Sequence, residues 1–319
     1  MATMNAIRIH EYGGPEVLRY EPAPLPEPGA GEVLVRVAAA GVNPFDLKLR
    51  GGVYQAAIPL SLPWIPGLDF SGVVTRVGGG VADLDTGAEV FGKSDTPRDG
   101  SYAEHVVVGR SGVAARPSSI DHVHAAAVPL AALTAWQSLF GDDRGPALGL
   151  RAGQTVLILG AAGGVGSFAV QFAKARGARV VATARRTAEI PHLSALGGDA
   201  IIDLERRGLQ DAGPVDAVLD LVGGDLQRRA WAQIRPGGAL ASTVGRPPEE
   251  LATARGVRAV AVSSHTNAKQ LGEIAVLIDA QKVRVVVGET MPLASARRAH
   301  ERLQSGDVRG KLVLTVGGA

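Results

Sequence analysis

The residues with the clearest chemistry in this sequence lie in a glycine-rich turn. Gly160-Ala161-Ala162-Gly163-Gly164-Val165-Gly166 follows the continuous apolar run Thr155-Val156-Leu157-Ile158-Leu159, and Val165, Phe168, Ala169 and Phe172 then recur at helical spacing. A strand that turns through glycines into a helix aims backbone N–H groups at the helix N-terminus, where a dinucleotide pyrophosphate can sit. On this reading Ala162, Gly163, Gly164, Val165 and Gly166 bind the cofactor. Gly163 allows close backbone approach, and Gly166 lets the helix pack closely on the strand. Ala161 stands where the usual fingerprint has its first glycine, so the match is imperfect. A generic strand-to-helix turn is the plainer alternative, but the strand before it and the helix after it favour cofactor binding.

A second strand, Val180-Val181-Ala182-Thr183-Ala184, ends in Arg185-Arg186. An enzyme selective for NAD usually carries an acid there, accepting hydrogen bonds from the ribose 2′-hydroxyl. Two guanidiniums instead suit a 2′-phosphate, which they can grip bidentately. The expected cofactor is NADP(H), with a solvated basic pair as the alternative. Thr183, Arg185 and Arg186 join the cofactor set. So do Val222 and Gly223 after the strand at 215–220, Thr243 and Val244 at the end of 239–243, and Ser263 after 257–262, because ligands cross the carboxyl edge of such sheets. His265 reads as a solvated loop residue. His122 and His124 read as a polar turn, and Lys174 reaches toward the 2′-phosphate region or faces water.

The elements that must position these residues fall into two textures. Residues 31–37 alternate, with Val33, Val35 and Val37 on one face, and Pro22, Pro24, Pro26 and Pro28 precede them as an extended connector. Further strand patterns at 70–77 and 88–91 make residues 1–124 a β-rich domain. From 125 to 284, apolar strands alternate with helical intervals, which argues for a doubly wound parallel sheet. Residues 285–319 return to the first domain. The fold class is therefore α/β. The charge balance, 33 basic against 31 acidic residues, offers no polybasic face for nucleic acid. No apolar run is long enough to span a bilayer, so no membrane partner is expected. Residues 1–8 lack a secretory pattern, and a cytoplasmic address is expected by default. Cysteine is absent, which removes disulfides and every cysteine-ligated metal site.

In order along the chain, Tyr12-Gly13-Gly14-Pro15-Glu16-Val17-Leu18, Val42-Asn43-Pro44-Phe45-Asp46, Pro66-Gly67-Leu68-Asp69-Phe70-Ser71-Gly72, Gly100-Ser101-Tyr102-Ala103-Glu104, Leu133-Thr134-Ala135-Trp136-Gln137 and Gly310-Lys311-Leu312-Val313-Leu314 form a pattern. It resembles the zinc-free quinone oxidoreductase (zeta-crystallin-like) branch of the medium-chain dehydrogenase/reductase superfamily over nearly the whole chain. The resemblance implies a GroES-like β-rich catalytic domain and a Rossmann domain. Zinc-dependent cousins place a cysteine where Asn43-Pro44 stands, and Gly-His-Glu where Gly67-Leu68-Asp69 stands. Leucine cannot ligate zinc, so no metal is expected. Without a Lewis acid a plain ketone is a poor substrate, whereas a conjugated acceptor needs only positioning and stabilisation of developing negative charge.

The resemblance implies hydride transfer from NADPH to a small-molecule quinone or α,β-unsaturated carbonyl. A 2-enoyl-thioester reductase is the alternative, and a non-catalytic NADPH-binding, crystallin-like protein is a third reading from another class. It places Asn43 and Asp46 in the catalytic cleft. There Asn43 either donates to the substrate or the nicotinamide ribose, or is simply the turn residue before Pro44. Tyr54 corresponds to a tyrosine proposed as proton donor in the thioester reductases, and is equally readable as a pocket wall. Thr134 matches the position that meets the nicotinamide, Gln137 lies one helical turn on, and Lys311 is assigned to the cofactor. A homodimer through the strand at 257–262 is also implied.

Overall fold

The computed structural model describes residues 2–306, 308 and 310–317. In chain order the elements are β1 (Thr3–Arg8), β2 (Arg19–Pro24), β3 (Glu32–Val42), α1 (Pro44–Arg50), β4 (Asp69–Val77), β5 (Glu89–Lys93), β6 (His105–Gly109), β7 (Val113–Ala115), α2 (His122–Ala126) and α3 (Pro129–Phe140). There follow β8 (Thr155–Leu159), α4 (Gly164–Ala175), β9 (Arg179–Ala184), α5 (Ile190–Ala195), β10 (Ala200–Asp203), β11 (Val215–Asp220), α6 (Gly224–Ala230), β12 (Ile234–Ser242), α7 (Glu249–Arg255) and β13 (Arg258–Ala261). The chain continues through α8 (Ala268–Asp279), β14 (Val287–Pro292), α9 (Ala296–Gln304) and β15 (Lys311–Thr315).

Two compact units result. The first comprises residues 1–130, 266–281 and 285–319, and the second 131–265 and 282–284. The sequence reading placed 266–281 with the dinucleotide-binding fold. In the structure α8 packs on β7, and the Asp279 carboxylate accepts the backbone N–H groups of Ser118 and Ser119 at 3.2 and 2.9 Å.

In the first unit β3 is the keystone. The sheet runs β14-β15-β3-β4-β5-β7, with β6 also paired to β3. The alternating valines Val33, Val35 and Val37 are buried as their spacing requires, while Arg36 points to solvent. The strand continues through Ala38-Ala39-Ala40-Gly41, where small side chains let α2 approach. A Cβ on Gly41 would stand 2.4 Å from the Ala126 carbonyl oxygen and 3.0 Å from Asp69 Oδ2. Glycine at 41 thus makes room for a buried carboxylate.

The second unit is a six-stranded sheet in the order β10-β9-β8-β11-β12-β13, parallel at every pairing. The order reverses between β8 and β11, the switch point at which such sheets bind ligands. β8 is buried at all five positions, as a strand covered on both faces must be. Among the described residues no helix is long and apolar enough to cross a membrane.

Candidate active site

In the second unit the glycine turn leaves β8 at Gly160, whose φ of 78° favours glycine. Gly166 packs the helix against that turn. A Cβ there would lie 2.3 Å from Gly160 O and 2.6 Å from the Ala161 Cα, both backbone atoms that cannot yield. At the other side of the turn a Cβ on Gly163 would meet only Gly160 O, at 3.4 Å. Gly163 is the N-cap of α4 and supplies no side-chain cap, so the first turn offers its N–H groups to a ligand. This open cradle at an uncapped helix N-terminus fits the pyrophosphate of a dinucleotide. Ala162, Gly163, Gly164 and Val165 all retain some exposure, and Gly166 is buried beneath them.

The neighbouring strand ends separate into groups that face out and groups that are spent internally. Asp220, fully buried at the end of β11, organises two loops. Its Oδ1 accepts from the backbones of Val222 (3.0 Å) and Gly223 (2.8 Å), and its Oδ2 from Gln227 (2.6 Å) and Ser242 (2.8 Å). The result holds Val222 and Val244 out at the carboxyl edge, 50% and 42% exposed, beside Gly160 and Gly223. Exposed apolar side chains on a rigid edge suit the face of a planar ring. Thr243 is half-buried, and Ser263 is exposed beyond β13. Arg185 and Arg186 leave β9 at the surface, and Glu189 accepts the Arg185 backbone N–H at 2.8 Å.

Thr183 departs from its expected role. Its hydroxyl accepts from Gly160 N (3.1 Å) and donates to Ile158 O (3.2 Å). It anchors the glycine turn from beneath. Thr134 is nearly buried and donates to Ser264 Oγ at 2.9 Å, while Gln137 clasps the His265 backbone in both directions at 3.0 Å. The His265 ring lies beside Asp142 and Asp143, in a cluster whose ligand atoms fall within 4.8 Å of one another.

In the first unit the remaining candidates converge on a buried polar network. Asn43 is the N-cap of α1, and the backbone of Asn43 donates to Asp46 Oδ2 at 2.8 Å. The Asn43 amide nitrogen donates to Asp69 Oδ2 at 3.0 Å, and its amide oxygen accepts from the Lys311 ammonium. Lys311 also donates to Val42 O and pairs with Asp69 Oδ2, both at 3.3 Å. Asp69 Oδ1 takes the Leu130 backbone N–H at 2.7 Å, at the start of α3. The assignment of Lys311 to the cofactor is thereby corrected. The side chain is 5% exposed, and its ammonium is consumed by three internal acceptors.

A second chain of bonds feeds Asp46. Arg50 donates to His300 Nδ1 at 2.8 Å, and guanidinium has no acceptor, so Nδ1 is the lone-pair nitrogen. Nε2 then carries the proton and faces Tyr102 Oη at 3.3 Å, whose own proton points to Asp46 Oδ2 at 3.4 Å. Burial and the Arg50 charge push His300 down to about 3, keeping it neutral. Burial and the charge of Asp69 push Asp46 up to about 7, against the donors from Asn43, and its Oδ1 has no hydrogen-bond partner among the described residues. Tyr54, half-buried after α1, packs on Phe45 with ring centroids 5.2 Å apart and planes tilted by 43°.

These residues do not fit zinc at Asn43, Leu68 and Asp69. Asn43 turns its oxygen to an ammonium, Leu68 has no donor atom, and Asp69 is already paired with a cation. The sequence showed Asn43 but not the trio. Its one local signal was a single charge of opposite sign opening each of the apolar strands β4 and β15.

Two family descriptions match the chain: an alcohol dehydrogenase GroES-like domain over residues 29–130, and a zinc-binding dehydrogenase over residues 196–314. The chain is 34% identical to the chloroplastic NADPH-dependent alkenal/one oxidoreductase of Arabidopsis thaliana, covering 98% of this chain and 79% of that protein. It is 32% identical to the mitochondrial NAD(P)H oxidoreductase RTN4IP1 of Danio rerio, covering 98% and 91%. Among solved structures, the quinone oxidoreductase from Coxiella burnetii superposes with a TM-score of 0.89 at 33% identity, covering 99% and 100% of the two chains.

The raised Asp46 has a stability consequence. Its ordinary value of 3.8 applies unfolded and about 7 folded, so the folded chain holds a proton there that the unfolded chain loses. Stability from this group is full below pH 4 and is lost as pH rises through 7. Asp46→Asn keeps the acceptor for the Asn43 N–H and removes the ionisation. Between pH 4.5 and 7.5 the wild-type Tm should fall relative to the variant by about 5 °C. Parallel Tm–pH curves would show that Asp46 does not titrate in this window.

Proposed function

The chain belongs to the medium-chain dehydrogenase/reductase family, with its quinone oxidoreductase-like members, and from that premise we propose that it transfers hydride from NADPH to a quinone or an α,β-unsaturated carbonyl. The observation that carries the cofactor part is the uncapped N-terminus of α4 above Gly163, at the switch point of a parallel sheet. A nicotinamide dinucleotide supplies the hydride; the protein supplies position and charge. The first turn of α4 holds the pyrophosphate, and Val222 and Val244 offer an apolar edge. Arg185 and Arg186 bring positive charge to the exit of β9, which supports NADPH over NADH. Ser263 and Thr243 line the same edge, and Thr134 serves the nicotinamide side.

The reaction is zinc-independent on this reading. The commitment of Asn43, Asp69 and Lys311 to one another supports that, together with the side chain of Leu68. Activation of the acceptor then falls to hydrogen bonding at the oxygen where negative charge develops. We read Tyr54 as a wall of the acceptor pocket, with its ring held by Phe45.

NADPH oxidation should proceed with a quinone and with an enone, undiminished in excess chelator. Loss of activity restored by zinc would refute zinc independence. In the same assay Arg185→Ala/Arg186→Ala should raise the KM for NADPH roughly tenfold to a hundredfold and leave NADH nearly untouched. An unchanged NADPH KM would remove the pair from the 2′-phosphate site.

For Tyr54, replacement by Phe preserves the ring. Turnover on both quinone and enone should stay within a few-fold of wild type. General acid catalysis contributes roughly a hundredfold to ten-thousandfold, so a collapse confined to the enone would make the hydroxyl the proton donor instead.

Among the described residues the edge strand β13 pairs only with β12 in its sheet, and an open edge invites pairing. We propose a homodimer joined edge to edge at β13. Light scattering should give twice the chain mass, and Ala261→Pro, which removes an N–H on the side of β13 away from β12, should lower it to one; an oligomer unaffected by this change would place the interface elsewhere.

A further inference from the structure

We propose that Lys311 is a positioning residue: its ammonium locks the Asn43 amide so that N–H, and not the carbonyl, is left for the bound acceptor. This rests on the hydride-transfer reading above and assigns the group that meets the acceptor oxygen.

The side chain of asparagine carries an acceptor and two donors, and its orientation is decided by what surrounds it. Here the surroundings allow one answer. Lys311 has donors only, so it takes the amide oxygen; an ionised Asp69 has acceptors only, so it takes one amide N–H. A flipped amide would set N–H against ammonium and oxygen against carboxylate. The other N–H belongs to a side chain that is 3% exposed and lies near the Asp46 carboxyl, and it is the donor that Asn43 can turn to a ligand. The ammonium on the carbonyl also polarises the amide, which strengthens its N–H as a donor.

Topology holds the lock in place. β3 lies between β15 and β4, with Val42 opposite Leu312 and Gly41 opposite Asp69. Lys311 and Asp69 therefore reach the end of β3 from its two flanks, and Asn43 is the next residue out. Lys311 itself, 5% exposed and bonded to Val42 O, Asn43 and Asp69, acts through Asn43.

The test uses the full chain, labelled with ¹⁵N, and assigns the Asn43 side-chain signals by their loss in Asn43→Asp. In wild type these amide protons should exchange slowly with water. Lys311→Met should speed their exchange at least about tenfold and lower kcat on an enone about tenfold or more, with the KM for NADPH within twofold. Lys311→Arg, which keeps the charge, should recover both to within about fivefold. If Lys311→Met does not fold, Lys311→Met/Asp69→Asn removes both buried charges and should show the same unlocked amide and low kcat. Slow exchange in the variants that lack the ammonium would overturn the inference, as would an undiminished kcat or a rise in NADPH KM alone. A wild-type chain that oxidises no NADPH sinks the hydride-transfer reading, while the exchange experiment still reports on the lock.

Discussion

The first unit is organised by two opposite charges buried on either side of one strand. Lys311 and Asp69 are 5% and 0% exposed, and neither could remain ionised there alone, since an isolated buried charge costs several kcal/mol. Each therefore obliges the other to be present. Because Lys311 opens the last strand and Asp69 the fourth, their pairing fixes β15 and β4 against β3 at one end. Asp69 also receives the N-terminus of α3 through the Leu130 N–H, and with Lys311 it holds the N-cap of α1. Five elements (β3, β4, β15, α1 and the start of α3) meet on one ion pair, so its removal by halves, which typically costs about 3–5 kcal/mol, would be felt in all of them.

The second unit solves the opposite problem, because it must leave the backbone N–H groups at the start of α4 open to a ligand. It does so by spending its side chains internally. Thr183 ties the glycine turn to β8 and β9, and Asp220 absorbs two loop N–H groups and two side chains. What faces outward is then backbone N–H from α4, two valines and a basic pair. A rigid cradle of backbone donors loses little freedom when a ligand arrives, which favours tight binding of a long, flexible dinucleotide.

Periodicity and turn chemistry made much of this legible in the sequence. The run 155–159 reads as a strand covered on both faces, and the strand and helix around the glycines favour a close approach to a ligand over a generic turn, so the doubly wound fold and its ligand edge followed from local pattern. Lys311 was misassigned because its partners are remote. Asp69 lies 242 positions away, and no local pattern announces which buried charge meets which. Thr183 failed for a related reason: alternation places a side chain on a face of a strand, but not which carbonyl its hydroxyl will reach. Residues 266–281 were drawn to the wrong neighbour in the same way, since the Asp279 carboxylate that binds them to Ser118 and Ser119 is a long-range contact.

The two buried chains of hydrogen bonds also differ in what they permit. Around Asn43 every partner has a fixed polarity, ammonium on one side and carboxylate on the other, so only one arrangement exists. Around Asp46 the order Arg50, His300, Tyr102 is fixed in direction by the guanidinium, yet it ends on a carboxyl with one oxygen unmet and a proton it holds up to about pH 7. Both chains end at the first turn of α1, one on its N-cap and one on the acid three residues later. The capping box joins them, since the Asn43 backbone N–H is donated to the Asp46 carboxylate. Ionisation of Asp46 strengthens that bond and adds a second negative charge near Lys311. The orientation of the Asn43 amide is the same in either state, because Lys311 donates to its oxygen and Asp69 accepts its N–H whether or not Asp46 carries a proton, although both feel the Asp46 charge.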